Sequence, residues 1–222
     1  RGYQKILGPF NFSTNHEIGF LKEGFDLPPV VMTTYTKPYY LEHFAKLNYR
    51  EEKVLYAWWL ENVKEVPELA KHYFERVSQK YGDRLVLRNL NFKKLHEDLK
   101  VVIDIFNDAW KENWGFNPLS EKELEKMAEE LKLIADPRIT YLLYKDGEPA
   151  ACLLGIPDIN EVLAGNRSGR LFPTGIFKLL FGRKKIRTAR VVIMCVKQKF
   201  RRFGFDMVLI YHVFNDGLKK TP

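Results

Sequence analysis

Hydrophobic and polar positions recur with two different periods along this 222-residue chain. Apolar residues spaced three or four apart predict helices, and short apolar runs between turn residues predict strands. The helical segments are "YYLEHFAKLNY", "VPELAKHYFERVSQKY", "LHEDLKVVIDIFNDAWKENW", "LSEKELEKMAEELKLI" and the stretch beginning "FDMVLIYH". The strand segments are "YQKILGPF", "KVLYAWWL", "RLVLRNL", "ITYLLYK", "EPAACLLGIP" and "ARVVIMCV". This mixture predicts an α/β protein.

Local signals indicate where several of these elements begin and end. Ser120 and Glu123 have the spacing of a capping box, which predicts a helix that starts after Ser120. Gly82 follows the second helical segment and suits a helix end. Asp146 and Gly147 form the pair that favours a two-residue hairpin turn.

The order of the predicted elements divides the chain into three parts. From residue 84 the order is strand, helix, helix, hairpin, long connection, strand, basic glycine loop and helix. We therefore expect a first unit at 1–63, a linking helix at 64–83 and an α/β unit at 84–222.

Charge narrows the range of partners. Lys and Arg number 36 against 28 Asp and Glu, which gives a net charge of +8, and the excess is concentrated in the last quarter of the chain. Such a balance suits nucleic acid, an anionic membrane surface or a phosphate-rich cofactor. No RNP-like, KH or zinc-finger pattern supports the first of these, so we expect no nucleic-acid partner.

The two cysteines, Cys152 and Cys195, lie inside apolar strand segments. Buried free thiols are expected at such positions, and they fit a cytoplasmic location. No group of Cys and His has the spacing of metal ligands, so no metal is expected.

The stretch "VKQKFRRFGFDMVLIYH" joins the last predicted strand to the last helix. Backbone N–H groups at a helix start point towards an anion, and the helix dipole adds a favourable potential. Arg201 and Arg202 supply positive charge there, and Gly204 permits a close approach of the backbone. The loop therefore predicts a phosphate site, although Asp206 in the same turn equally suits an ordinary helix N-terminus.

With this order of elements and the sequence Arg201-x-x-Gly204-x-Asp206, the second unit resembles the GNAT superfamily of acyl-CoA N-acyltransferases, whose central motif is Arg/Gln-x-x-Gly-x-Gly/Ala. The first unit resembles the second half of such a domain, with "FAKLNY" where a turn of that domain falls. The resemblance implies a mixed sheet flanked by helices. It also implies the C-terminal half of one GNAT-like domain at 1–63 and the N-terminal portion of a second at 84–222.

The same resemblance implies the reaction and the residues that bind its cofactor. An acyl-coenzyme A thioester, either acetyl-CoA or a longer acyl-CoA, is the expected co-substrate, and a small or lipid-like amine is the expected acceptor. The backbone at Cys195 and Val196 would polarise the thioester carbonyl. The residues implied for the coenzyme A diphosphate are Arg201, Arg202, Gly204 and Phe205.

Two departures from the family pattern favour a different function. Asp206 stands where the motif has a small residue, and Phe44 replaces a tyrosine that often acts as general acid. The alternative is a catalytically degenerate GNAT fold that binds a ligand or a partner.

Three polar residues are candidates for handling the proton of the amine. Asn11 and His16 follow a predicted strand and can line an acceptor pocket, with His16 or Glu17 taking a proton from the amine. The other interpretation of these two residues is a turn stabilised by its own side chains. Asp158 leaves a strand and either enters the cleft or caps a turn or helix.

The stretch "LFPTGIFKLLFGRKK" combines large apolar residues with flanking cations. A short element of this composition can lie in a membrane interface, with its cations among anionic head groups. That interpretation predicts peripheral contact with an anionic membrane and a lipid-like substrate. The other interpretation is a buried helix, in which Phe177 and Leu180 belong to the core.

Overall fold

The computed structural model describes residues 2–61, 64–166, 170, 172 and 175–218, apart from the side chains of Leu124 and Leu218. The chain divides into two compact units, residues 1–61 and 62–222. The predicted boundary at residue 63 and the terminal boundaries at 1 and 222 lie outside the described residues. The assignment of the two units to halves of different domains stays a prediction.

The first unit contains little regular structure. Strands β1 (Phe10–Asn11) and β2 (Glu17–Ile18) form an antiparallel pair, and α1 spans Tyr39–Lys46. The helix was predicted, whereas the strand prediction for "KVLYAWWL" is wrong, because no strand is assigned at 51–61. The large side chains of that segment are exposed, Trp58 at 88%, so β-propensity alone does not form a strand without a partner.

The second unit alternates helices with a four-stranded sheet. Its helices are α2 (Glu68–Tyr81), α3 (Leu95–Trp110), α4 (Glu121–Ile134), α5 (Asn160–Leu163), α6 (Ile176–Gly182) and α7 (Phe205–Leu218). Its strands are β3 (Leu85–Asn89), β4 (Thr140–Lys145), β5 (Glu148–Pro157) and β6 (Ala189–Val196). The α/β class is therefore confirmed.

The sheet of the second unit has the order β3-β4-β5-β6. All its ladders among the described residues are antiparallel, so the mixed sheet implied by the resemblance is not seen in this part of the chain. The strand β6 lies at one edge, and its outer side has no partner strand among the described residues.

Local chemistry explains several boundaries. The Ser120 hydroxyl accepts the N–H of Glu123 while the Glu123 carboxylate accepts the N–H of Ser120, which forms the predicted capping box at the start of α4. Asp146 and Gly147 both have positive φ, 52° and 79°, as the tight turn between β4 and β5 requires. A glycine, Gly82 with a φ of 51°, ends α2 as predicted.

Helices cover both faces of the sheet, which is why its inner strands are almost continuously apolar. On one face, α7 and α2 pack on Tyr141, Leu143 and Leu153. On the other face α3 contacts β5 and β6. The helix predicted to link the two units, α2, thus packs within the second unit, and the Phe74 ring stacks on Tyr211 of α7 with centroids 4.0 Å apart.

Two polar networks join helices to the sheet. The Arg88 guanidinium on β3 binds the buried Asp98 carboxylate of α3 with two hydrogen bonds of 2.5 and 2.8 Å. The Tyr141 hydroxyl on β4 lies 2.8 Å from Asp216 Oδ2 and 2.6 Å from the Arg138 carbonyl oxygen. Burial, followed by the interaction with Asp216, raises the pKa of Tyr141 well above its usual range.

Of the helices in the described part of the chain, none combines the length and the apolar character that crossing a lipid bilayer requires.

Candidate functional site

The connection between β6 and α7 is a tight loop with two left-handed residues. After Val196 the chain makes a 3₁₀ turn at Gln198–Phe200, and then Arg202 and Gly204 take φ values of 67° and 82°. These two residues turn the chain so that α7 begins at Phe205. The first N–H groups of a helix have no partner inside it, so this loop presents the positive end of α7 beside two arginines.

Gly204 is required by the fold itself. It is buried, and a Cβ at this position would lie 3.1 Å from Tyr73 Cδ1 and 3.1 Å from Val77 Cγ2, both on α2. Positive φ adds a second reason for glycine. The approach of a diphosphate to Gly204 stays a prediction.

The two arginines of the loop differ in their contacts. The Arg201 guanidinium donates a hydrogen bond to the Ala109 carbonyl at the end of α3, so this side chain is anchored to the fold. Arg202 is exposed, and its side chain has no hydrogen bond or ion pair within the described residues. Of the two, Arg202 is therefore the one placed to meet an anion in solution.

Phe205 and Asp206, at the start of α7, differ in their exposure. The Phe205 side chain is fully buried in the core below α7, so only its backbone N–H faces the loop. Asp206 is half-buried in the first turn, and we find no partner for its carboxylate in the described part of the chain.

The end of β6 presents one backbone N–H to its open edge. The Lys197 N–H donates to the Ala150 carbonyl at 2.9 Å, and residues of an antiparallel ladder point alternately towards and away from the partner strand. Cys195 therefore points its N–H at β5, and Val196 points its N–H outwards. Of the two residues predicted to polarise a carbonyl, Val196 has the suitable direction.

Cys195 instead belongs to a buried pair of thiols. It lies directly opposite Cys152 on β5, and both are free and buried, as predicted. The Trp110 indole N–H donates to Cys195 Sγ at 2.8 Å. A hydrogen bond with Cys195, together with burial, raises the pKa of Cys152. The hydrogen bond from Cys152 lowers the pKa of Cys195, with further contributions from Trp110 and the charge of Arg201.

A groove of about 590 Å³ runs beside this loop, and sequence reasoning missed it. Its walls are charged, with Asp104 and Asp108 from α3 facing Lys197 and Lys199. Asp108 Oδ2 accepts the N–H of Gln198 at 2.7 Å, and Lys197 Nζ lies 2.6 Å from Asp104 Oδ2. Burial opposes ionisation of Asp108, but the Gln198 N–H and the nearby lysines outweigh it and lower its pKa. The acidic positions on α3 at i and i+4 were the available sequence signal.

The three candidates for proton transfer belong to different units of the chain. In the first unit, the Asn11 amide donates to Glu17 at 3.4 Å, and His16 Nδ1 lies 3.1 Å from the Ser13 hydroxyl. All these contacts close a turn between β1 and β2, which is the arrangement that the turn interpretation predicts. In the second unit, Asp158 is buried and accepts the N–H of Asn160 at 3.1 Å, so its side chain forms a local turn just before α5. A catalytic role for any of the three stays a prediction.

Comparison with known proteins gives a second line of evidence about the chain. No family model matches the chain. Over 214 residues, 95% of the chain, it is 37% identical to protein YghO of Escherichia coli strain K12, of which it covers 54%. Over 203 residues, 90% of the chain, it is 34% identical to the bacterial ceramide synthase of Caulobacter vibrioides strain NA1000 / CB15N, of which it covers 52%.

These similarities support an acyltransferase-like family. The chain spans about half the length of these curated relatives.

Proposed function

We propose that the complete protein is an N-acyltransferase that transfers an acyl group from an acyl-CoA thioester to the amine of a lipid-like acceptor. The observation that carries the proposal is the 34% identity to a bacterial ceramide synthase over 90% of the chain. A ceramide is the amide of a fatty acid with a long-chain amino alcohol, so its synthesis joins an acyl group to a lipid-like amine.

The geometry of the β6–α7 loop supports this reaction. In the proposed transfer, the amine nitrogen attacks the thioester carbonyl carbon, a C–N bond forms and the C–S bond breaks. One amine proton passes to a base, and coenzyme A leaves as the thiol. The outward N–H of Val196 is suited to stabilise the developing oxyanion, because a fixed backbone donor needs no reorganisation during the reaction.

The diphosphate of the thioester would lie against the start of α7. Arg202 is exposed there, and the helix N-terminus adds a favourable potential for an anion. Asp206 opposes this binding, because its carboxylate would share the same first turn with the diphosphate.

The second candidate is a degenerate fold that binds acyl-CoA or another ligand without acyl transfer. The observation that favours it is the Asp206 carboxylate in the turn proposed to bind the diphosphate, together with an Arg201 side chain already engaged by Ala109.

The test uses the complete protein with acyl-CoA of several chain lengths and with two amines, a long-chain amino alcohol and a short amine. We expect stoichiometric release of the coenzyme A thiol and formation of the amide, measured by thiol titration and mass spectrometry, with the long-chain acceptor only. Binding of acyl-CoA without either product would support the degenerate fold. Absence of binding to any acyl-CoA would contradict acyl transfer and would favour a degenerate fold that binds another ligand.

Variants connect the reaction to the loop. Arg202→Gln is expected to raise the dissociation constant for acyl-CoA about tenfold by removing a charge-assisted contact. Asp206→Ala is expected to leave that constant unchanged or lower it, because it removes a repulsive charge. Lys132→Gln, at an exposed position on α4, is the control for loss of one positive charge. A marked loss of affinity in Asp206→Ala would show that Asp206 itself contacts the ligand.

A further inference from the structure

The helix α6 presents its largest apolar side chains to solvent. Phe177 is 57% exposed, Leu180 60% and Phe181 76%. These three residues, the outer face of α6, have the i, i+3, i+4 spacing of a single helical stripe. The interpretation of Phe177 and Leu180 as core residues is therefore wrong.

Packing on the opposite side holds α6 in this orientation. Gly182 lies against Val162 of α5, so closely that a Cβ at Gly182 would be 2.5 Å from Val162 Cγ1. The Arg183 guanidinium, at the end of the helix, donates to the carbonyls of Ile134 and Ala135 at 3.4 and 3.2 Å. Ile176, Leu179 and Gly182 are thus partly buried, while two phenylalanines of the same helix are exposed. A surface helix in water usually turns its largest apolar side chains towards the core.

Positive charge is exposed at the C-terminal end of the outer face. Exposed Lys184 and Lys185 lie in the 3₁₀ turn Arg183–Lys185 that follows α6. The sequence from residue 162 to 205 contains 12 Lys and Arg residues and no Asp or Glu. Since the whole chain carries 36 basic and 28 acidic residues, the remainder has 24 basic against all 28 acidic ones. The net positive charge of the chain therefore comes from this stretch of the sequence.

The charge and the apolar character of this surface together favour one kind of partner. A second copy of the same chain would bring two strongly basic surfaces together, which is unfavourable. A nucleic acid would satisfy the cations but not an aliphatic and aromatic stripe that points away from the protein. An anionic lipid surface satisfies both, because apolar side chains enter the acyl boundary while lysines remain among the head groups.

We propose that α6 docks the protein on anionic membranes, with Phe177, Leu180 and Phe181 inserted at the interface and Lys184 and Lys185 at the head groups. The exposed Phe172, at 70%, extends the apolar surface on the N-terminal side of α6. This inference does not depend on acyl transfer, but it would bring a lipid-like acceptor to the surface from which the protein takes it.

The first experiment measures co-sedimentation of the complete protein with vesicles of phosphatidylglycerol and phosphatidylcholine, and with vesicles of phosphatidylcholine alone. We expect binding to the anionic vesicles and little to the neutral ones. The double variant Phe177→Ser/Leu180→Ser is expected to lower the partition coefficient about tenfold or more. The control is Leu69→Ser on α2, where the leucine is 58% exposed, and its binding is expected to match the unaltered protein.

A second pair of variants tests the charges. Lys184→Gln/Lys185→Gln is expected to lower the partition coefficient about tenfold, because each lysine near an anionic surface contributes to binding. Lys122→Gln/Lys126→Gln makes the same change in net charge at exposed positions of α4 and is expected to change binding less than about twofold. Salt should weaken binding of the unaltered protein by screening the same lysines.

Four outcomes would overturn the proposal. The first three are that the unaltered protein binds no vesicles, that it binds neutral and anionic vesicles equally, and that the α6 variants bind like their controls. The fourth is a fall of several degrees in the melting temperature of the α6 variants only, because their loss of binding would then follow from unfolding. An acyl-transfer assay in detergent micelles separates the two proposals, because loss of docking should leave that activity unchanged.

Discussion

At Gly204 the backbone takes a φ of 82° while α2 lies against the α-carbon. Gly204→Ala is therefore expected to lower the free energy of unfolding by about 1–3 kcal/mol, because alanine is strained at positive φ and its Cβ would crowd Tyr73 and Val77. Urea unfolding followed by circular dichroism measures the change. The result matters for the cofactor hypothesis, since any loss of ligand affinity in this variant has to be corrected for lost stability.

A matched control lies in α7. Gly217 is helical, and no atom in the described part of the chain lies within 4 Å of the position that a new Cβ would occupy. Gly217→Ala is expected to raise the free energy of unfolding by about 0.5–1 kcal/mol, because alanine loses less backbone entropy in a helix. Equal effects of the two substitutions would contradict this account of Gly204.

At the scale of secondary-structure elements, the Arg88–Asp98 pair fastens α3 to β3. Burial opposes ionisation of Asp98, but hydrogen bonds from Arg88 and from the Asn91 N–H outweigh it and lower its pKa. Asp98→Asn is expected to cost about 1–3 kcal/mol of unfolding free energy at pH 7, because the partner guanidinium loses its charged acceptor. Glu97→Gln is the control, since its contact with Lys94, at 3.5 Å, is exposed and worth little.

The difference in unfolding free energy between the unaltered protein and Asp98→Asn is expected to depend on pH. A carboxyl whose folded-state pKa is lowered stabilises the fold above its unfolded-state pKa of about 3.9, and the contribution is lost as pH falls through the lower folded-state value. The gap between the unaltered protein and Asp98→Asn should therefore narrow below about pH 4. A gap that stays constant from pH 7 to pH 3 would show that packing, not charge, explains the cost.

Elements with strong local signals could be predicted from the sequence. The capping box of α4, the Asp-Gly turn and the apolar period of α3 each lie within about one element, so no distant contact is needed to recognise them. The strand predicted for "KVLYAWWL" is wrong because strand formation depends on a partner strand, which the segment's own residues do not reveal.

The candidate site was predictable only in part, for the same reason. The basic loop and its glycine are visible in the sequence, but the contact of Gly204 with Tyr73 joins residues 131 positions apart. The anchoring of Arg201 by Ala109 is equally long-range. In α6 nearly every position is apolar, so periodicity cannot tell which side faces the protein; the Val162–Gly182 contact decides it.

At the scale of the whole molecule, the hydrophobic core is unevenly divided. Within the described residues, Val31 is the one buried hydrophobic side chain of the first unit, and all the others belong to the second. We expect residues 64–222 expressed alone to keep a cooperative thermal transition, since their core is internal to them. Calorimetry tests this, and a broad transition without a heat-capacity peak would contradict it. Residues 1–61 alone are expected to show no such peak, because so little burial cannot offset chain entropy.

The outer edge of β6 limits how a further strand could pair with it. Val196 and Met194 direct backbone groups outwards, so the hydrogen-bonding positions available to an added strand are fixed in advance. The apolar side chains of Val191 and Met194 are 45% and 39% exposed, so a strand paired there would gain burial by placing apolar side chains beside them. A displacement of that strand by one residue would turn its other face towards these two side chains. We therefore expect the sequence of the pairing strand, and not the backbone of β6, to determine its alignment at this edge.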